Sequence, residues 1–193
     1  MPYRGISPEH AAAVRARAEL LHGPAEVEAA FDRMAEAIST QLSGSDPVVL
    51  CVMNGGVIPA AGLLMRLDFP LRQDYVHATR YRGATAGGEL HWVKRHSEPI
   101  AGENVLVIDD ILDEGLTLEA IVRTCREEQA KRVFSAVLVE KQRPRDSQYR
   151  PDFIGLEVEN RYVFGYGMDY KGYWRNAAGI YAVAEQQIDR TGQ

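Results

Sequence analysis

Two kinds of hydrophobic pattern recur along this chain, and they predict which segments form helices and which form strands. Apolar side chains recur at helical spacing between residues 24 and 42, as expected of a helix that packs one face on a core. Continuous apolar runs are typical of strands buried on both faces, and two such runs occupy residues 48–53 and 105–108. Residues 133–139, apolar except for Ser135, are expected to form another buried strand.

The remaining predicted elements are shorter or less regular. Further helices are expected at residues 7–21, 59–67 and 118–129. Further strands are expected at residues 73–79, 153–158, 162–164 and 180–183. The glycine-bearing residues 82–91 are expected to form a loop or hairpin. Because strands alternate with helices, the chain is predicted to be an α/β protein whose twisted, mainly parallel sheet is flanked by helices.

Three clusters of polar and glycine residues follow predicted strands. They occupy residues 54–56, 109–117 and 141–145. Ligands of parallel α/β sheets bind beyond the carboxyl ends of the strands. We therefore expect the three clusters to line one cleft.

Composition limits the classes of function. The 193 residues include 46% hydrophobic and 25% charged residues, which fits a single soluble domain. The net charge of −5 argues against a nucleic-acid partner, and no apolar stretch is long enough to predict a membrane span. Cys51 and Cys125 have no ligand-like spacing, so we expect two buried free thiols in a cytoplasmic protein.

The richest chemical signal is the acidic segment that follows the strand at residues 105–108. Four carboxylates lie within six positions, and Gly115 and Thr117 then open a predicted helix; the carboxylates belong to Asp109, Asp110, Asp113 and Glu114. Acids packed this closely repel one another, so a solvated acidic turn is the simplest alternative. The ordered series of strand, paired acids, further acid, glycine and hydroxyl favours a site for a cation or a hydroxyl-rich ligand.

This segment resembles the ribose-phosphate loop of the type I phosphoribosyltransferases. Residues 141–145, 151–155, 162–170 and 173–175 are similar to motifs of the hypoxanthine-guanine branch of that family, in the same order. The resemblance implies one domain over residues 1–193. Its parts would be N-terminal helices (1–45), a core (46–145) and a purine-binding segment with a small hood (146–193).

The resemblance implies phosphoribosyl transfer from phosphoribosyl pyrophosphate to hypoxanthine or guanine, with Mg²⁺ as cofactor and a homodimer or homotetramer as the assembly. Asp113 would be the general base for the purine N7 proton. Residues implied to bind the donor are Asp109, Asp110, Asp113, Glu114, Gly115, Leu116, Thr117, Asn54, Gly55, Tyr81 and Arg175. Residues implied to bind the purine are Lys141, Tyr162, Val163, Met168 and Asp169. The residues implied to hold metal are Asp109, Asp110 and Asp169.

Elementary chemistry supports several of these roles. Backbone N–H groups at a helix start attract phosphate, and Gly115 permits a close approach. The donor-only ammonium of Lys141 suits the O6 acceptor of a 6-oxopurine and opposes the amine of adenine. The glycine-bearing residues 82–91 are the candidate lid.

The sequence departs from the family at two positions and leaves other functions open. Asn54 stands where lysine is common, so the pyrophosphate contact would differ there. Glu114 replaces threonine or serine and is expected to point outward, since a carboxylate cannot donate to phosphate. The alternatives are a xanthine-preferring phosphoribosyltransferase, a regulatory nucleotide-binding protein of the same fold, or a binding module without turnover.

Overall fold

The computed structural model describes residues 5–80, 90–145 and 147–184. Within these residues the chain forms a large sheet, a small sheet and the helices that pack against them. The elements, in chain order, are α1 (Pro8–Arg17), β1 (Glu19–His22), α2 (Pro24–Leu42), β2 (Val48–Val52), α3 (Val57–Leu64), β3 (Arg72–Arg80), β4 (Leu90–Lys94), β5 (Asn104–Leu112), α4 (Leu116–Glu127), β6 (Arg132–Gln142), β7 (Phe153–Glu159), β8 (Val163–Phe164) and β9 (Ile180–Ala182).

The large sheet has six strands in the order β4-β3-β2-β5-β6-β7. All neighbours are parallel except β4, which runs antiparallel to β3 at the edge. Successive side chains of a strand point to opposite faces. Val49 and Cys51 of β2 accordingly share a core with α2 and α3, whereas Val48 and Leu50 share one with α4. The predicted α/β class, with a mainly parallel sheet covered on both faces, is confirmed.

The small sheet is antiparallel, in the order β1-β9-β8. We use the name hood for this sheet together with α1 and residues 165–179, which join β8 to β9. Its own apolar core includes Val14 of α1, Phe164 of β8, Tyr170 and Tyr181. The predicted small hood is therefore present, and the N-terminal segment supplies both a helix and a strand to it.

The first helix is shorter than its pattern predicts. It starts as expected, since Pro8 is the first helical residue and the Ser7 side chain accepts a hydrogen bond from the backbone N–H of His10. It ends at Arg17, not near residue 21. The prediction was wrong because Glu19 and Leu20 pair with β9, far away in sequence, and that pairing outweighs local helix propensity.

Two strands differ from the predicted pattern. Leu90 and His91, expected in a loop or hairpin, begin β4, a strand that was not predicted and that pairs antiparallel with β3. The strand predicted at residues 105–108 continues to Leu112, so Asp109 and Asp110 are strand residues, and Asp109 pairs with Val137 of β6. The other predicted elements are present, with ends that differ by a few residues.

Both cysteines are free and buried, as predicted. Burial first, and then the charges of Asp109 and Asp110, raise the pKa of the Cys51 thiol to about 11. Burial likewise raises the pKa of Cys125 to about 12. Neither thiol is therefore a nucleophile at neutral pH. In the part of the chain that the structure describes, every helix is too short or too polar to cross a membrane.

Asp74 of β3 fixes the loop that follows β4. Its carboxylate accepts hydrogen bonds from the backbone N–H groups of Tyr75, Ser97 and Glu98 and faces Lys94. Burial alone would raise its pKa, but these bonds and the Lys94 charge outweigh burial and lower the pKa to about 2. The folded pKa lies below the unfolded value of 3.8, so the stabilisation is fully present above 3.8 and is lost as pH falls through about 2.

Replacing Asp74 with asparagine is therefore expected to lower the free energy of unfolding at pH 7 by about 2 kcal/mol. Urea unfolding followed by circular dichroism measures this difference. Asp68→Asn, at an exposed carboxylate, is the matched control and should change stability by less than about 0.5 kcal/mol. Equal stability of the two variants would contradict this role of Asp74.

Candidate active site

The carboxyl ends of β2, β5 and β6 meet at one edge of the large sheet, where two adjoining cavities open. The first, of about 360 Å³, lies between the loop after β2, the loop after β5 and the hood. The second, of about 330 Å³, lies between the end of β5, the end of β6 and β8. Asp110, Ile111, Asp113 and Asp169 line both cavities. The three sequence clusters therefore converge on one cleft, as expected.

Every predicted site residue within the described part of the chain lines one of these cavities. Those lining the first are Asn54, Gly55, Asp109, Asp110, Asp113, Glu114, Gly115, Leu116, Thr117, Asp169 and Arg175. Those lining the second are Asp110, Asp113, Lys141, Tyr162, Val163, Met168 and Asp169. Tyr81 and the rest of the predicted lid up to residue 89 lie outside the described residues.

The loop between β5 and α4 presents backbone donors to the first cavity. Gly115 caps α4 in the left-handed conformation with φ of +80°, which glycine adopts without strain. The carbonyl of Gly115 accepts the first intrahelical bond, from the N–H of Glu119 at 2.9 Å. The preceding N–H groups of α4 have no intrahelical partner, and the helix dipole favours an anion beside them. The side chain of Glu114 is exposed, and its outward orientation stays a prediction.

Asp109 and Asp110 place two partly buried carboxylates at the floor of the first cavity. Asp109 accepts a hydrogen bond from the backbone N–H of Asp110 at 2.9 Å, and Asp110 accepts one from Ile111 at 2.8 Å. Burial raises the pKa of both groups, and the charge of Asp110 raises that of Asp109 further. Arg175 stands 3.9 Å from Asp110 and opposes this effect only in part. The pair is therefore suited to a ligand that supplies hydroxyl donors or a cation.

Backbone contacts fix the loop after β2 against these acids. A Cβ atom at Gly55 would overlap the carboxylate of Asp110, and one at Gly167 would overlap the carbonyl oxygen of Gly55. Gly167 itself has φ of +107°. The absence of side chains at Gly55 and Gly167 thus lets the β2 loop, β5 and the hood approach one another at the cavity wall.

Asp113 is held by two cations in the second cavity. Lys141 donates to its Oδ2 at 2.7 Å, and Arg143 donates to its Oδ1 at 2.9 Å. Burial would raise the pKa of Asp113, but these hydrogen bonds and charges outweigh it and hold the pKa below its usual value. Asp113 is therefore ionised at neutral pH and can accept a proton or a hydrogen bond.

The hood closes the second cavity from the other side. Tyr162, which directly precedes β8, is 42% exposed and lines the cavity, while Val163 and Met168 are buried in its wall. Asp169 pairs with Arg175 at 2.6 Å, and Arg175 also donates to the carbonyl of Gly167 at 2.6 Å. Arg175 thus links the hood to the acid pair on β5.

Sequence reasoning assigned no role to Arg143 and Arg145. Arg145 is almost fully buried and donates to the backbone carbonyls of Asp113 and Lys141 and to the carboxylate of Glu140. It therefore ties the end of β6 to the loop after β5. The sequence did contain a signal for these contacts. Lys141, Arg143 and Arg145 are three cations in a cluster that was predicted to share a cleft with four acids.

Comparison with known proteins finds similarity both in the amino-acid sequence and in the fold. The family model described as the phosphoribosyl transferase domain matches residues 17–171. The bifunctional protein TilS/HprT of Listeria monocytogenes is 32% identical over 78% of this chain, which spans only 24% of that protein. The human hypoxanthine-guanine phosphoribosyltransferase is 29% identical, with 80% of this chain and 75% of that enzyme covered. A hypoxanthine phosphoribosyltransferase structure from Staphylococcus aureus superposes with a TM-score of 0.83 at 24% identity, with 88% and 92% of the two chains covered.

Proposed function

Because the chain belongs to the phosphoribosyltransferase family, we propose that it is a purine-salvage enzyme that transfers the phosphoribosyl group from phosphoribosyl pyrophosphate to hypoxanthine or guanine. The products are IMP or GMP and pyrophosphate. One observation carries this proposal: a helix start, a partly buried acid pair and a Lys141–Asp113 pair line one cleft together with Tyr162. A nucleotide offers a phosphate, a ribose and a base to these groups.

The first cavity takes the phosphoribosyl donor in this proposal. The 5′-phosphate binds the N–H groups of residues 115–117 and the hydroxyl of Thr117. The carboxylates of Asp109 and Asp110 accept hydrogen bonds from the ribose hydroxyls, which explains acids beside an anionic substrate. Arg175 and the backbone around Asn54 and Gly55 bind pyrophosphate.

The donor set also fits Mg²⁺. Within the described residues, no group of three His, Cys, Asp or Glu side chains could hold a metal ion by itself. Mg²⁺ commonly needs only one or two carboxylates, because substrate oxygens and water complete its octahedron. Asp109 and Asp110 would provide such a pair, and Asp169 would provide a carboxylate for a second ion. The ion would neutralise charge on the leaving pyrophosphate.

The second cavity takes the purine. Lys141 donates a hydrogen bond to O6, and the carboxylate of Asp113 receives the proton of N7. The atoms O6 and N7 lie next to each other on the same edge of a 6-oxopurine. The existing 2.7 Å Lys141–Asp113 contact matches that adjacency. Tyr162 stacks on the ring, and Val163 and Met168 contact its edge. Adenine would place an amine donor against the ammonium, a mismatch that a buried site rejects strongly.

A turnover assay tests the proposed function. Pyrophosphate release is measured with phosphoribosyl pyrophosphate, Mg²⁺ and each of hypoxanthine, guanine, xanthine and adenine. We expect turnover with hypoxanthine and guanine, and at least about a hundredfold lower kcat/KM with adenine. Turnover with xanthine alone would replace the proposal by the xanthine-preferring alternative. Absence of turnover with all four purines would contradict the proposed enzyme.

The proposal includes a cytoplasmic enzyme that works as a homodimer or homotetramer. Two free, buried thiols are compatible with a reducing compartment. Val57 and Met65, at the two ends of α3, are exposed apolar residues available for contact between copies. Light scattering coupled to size-exclusion chromatography measures the assembly, and a monomer at micromolar concentration would contradict this part.

A further inference from the structure

Helix α1 lies almost entirely before residue 17, where the family match begins, yet it packs closely on the hood. The indole N–H of Trp174 donates to the carbonyl of Ala11 at 2.7 Å. Val14 is fully buried in the hood core, and the guanidinium of Arg15 lies 3.6 Å from the ring centre of Tyr181. The described contacts of α1 thus connect it to the part of the molecule that carries Tyr162.

A chain of rings leads from α1 to Tyr162. The imidazole of His10 is stacked on the ring of Tyr170, with 6.2 Å between ring centres and 9° between planes. His10 Nε2 also lies 3.4 Å from the Tyr170 hydroxyl. Tyr170, only 3% exposed, then meets Tyr162 edge to face, with 5.4 Å between ring centres and 68° between planes. Aromatic pairs in this geometry are attractive and directional.

We propose that Tyr170, which packs against His10 of α1, is a positioning residue. It fixes the ring plane of Tyr162 and thereby sets the affinity for the purine. This inference rests on the proposed function. Tyr170 is too buried to contact a purine itself, so it acts only through Tyr162. Holding Tyr162 in its stacking orientation before the purine arrives removes an ordering cost from binding. The N-terminal helix is then part of the purine site, although it contributes no atom to the cavity lining.

Steady-state kinetics of Tyr170→Leu test the proposal, because leucine keeps an apolar side chain there and removes the ring that contacts Tyr162. The KM for hypoxanthine should rise roughly three- to tenfold, while the KM for phosphoribosyl pyrophosphate stays unchanged. His10→Ala, which alters a partly buried residue of α1, should raise the hypoxanthine KM about twofold. This variant replaces the leucine variant in the test if the leucine variant fails to fold.

The matched control is Phe134→Leu, which removes one ring of the buried Phe134–Phe153 pair. Phe134 lies near the start of β6, at the end remote from the cleft, so both KM values should stay unchanged.

A second readout does not depend on catalysis. In protein labelled with 3-fluorotyrosine, the fluorine NMR signal of Tyr162, assigned with Tyr162→Phe, should shift or broaden in His10→Ala and not in Phe134→Leu. An unchanged signal and an unchanged hypoxanthine KM in folded variants would overturn the positioning role. Equal rises in both KM values would also overturn it. If wild-type protein turns over no purine, the proposed function fails, and the NMR comparison still decides whether α1 orders Tyr162.

Discussion

Replacing Asp113 with asparagine is expected to lower kcat by about a hundredfold or more, because an amide cannot take the N7 proton from the purine. Asparagine keeps the size of the side chain and one oxygen acceptor, so one of the two cations, Lys141 or Arg143, retains its hydrogen bond. Affinity for phosphoribosyl pyrophosphate should change little, since the donor is proposed to bind mainly the backbone N–H groups of residues 115–117 and the carboxylates of Asp109 and Asp110. Rapid-quench measurement of nucleotide formation separates this chemical step from product release.

The neighbouring carboxylate provides the control for Asp113. Glu114 is exposed and makes no contact with Lys141 or Arg143 in this proposal, so Glu114→Gln removes one negative charge from the same loop without removing the base. Its kcat should stay within about twofold of wild type. Near-normal turnover in Asp113→Asn would defeat the general-base assignment. An equal loss in both variants would show that loop charge matters and that the position of Asp113 does not.

The second large effect is expected for Lys141→Met. A hydrogen bond from a charged donor in a buried site contributes about 1.5–3 kcal/mol, so kcat/KM for hypoxanthine and guanine should fall roughly ten- to a hundredfold. The discrimination against adenine should narrow at the same time, because the donor that opposes its amine is gone. Competition assays with mixed purines measure both quantities together.

Lys131→Met is the matched control, since Lys131 is an exposed lysine just before β6, at the end remote from the cleft. It should leave the purine preference unchanged. A Lys141→Met variant that kept its full preference for hypoxanthine over adenine would contradict the O6 contact. Any selectivity would then have to come from the edge contacts of Val163 and Met168.

That the three polar clusters meet at one cleft was predictable, because each cluster and the strand before it form a pattern that is local in sequence. A buried apolar run followed by acids, glycine and a hydroxyl marks the end of a parallel strand and the start of a helix. Gly115 illustrates this: its left-handed cap position follows from the Asp113–Thr117 pattern. In the same way, Lys141 was predicted near Asp113 because each follows a strand of the same sheet.

What the sequence could not predict depends on partners far along the chain. Residues 19–22 have helical neighbours, and only pairing with β9 makes them a strand. The contact of Arg143 with Asp113 requires the carboxyl ends of β5 and β6 to lie side by side. Their alignment depends on the register of strand pairing, which cannot be read from composition. The stacking of His10 on Tyr170 likewise brings together residues near opposite ends of the chain.

The most direct measurement is a crystal structure of the protein with GMP or IMP bound. The account predicts that the 5′-phosphate contacts the N–H groups at Gly115 and Thr117, that the ribose hydroxyls contact Asp109 and Asp110, and that O6 lies within hydrogen-bonding distance of Lys141. A phosphate bound away from the start of α4, with the acid pair contacting no part of the sugar, would contradict it.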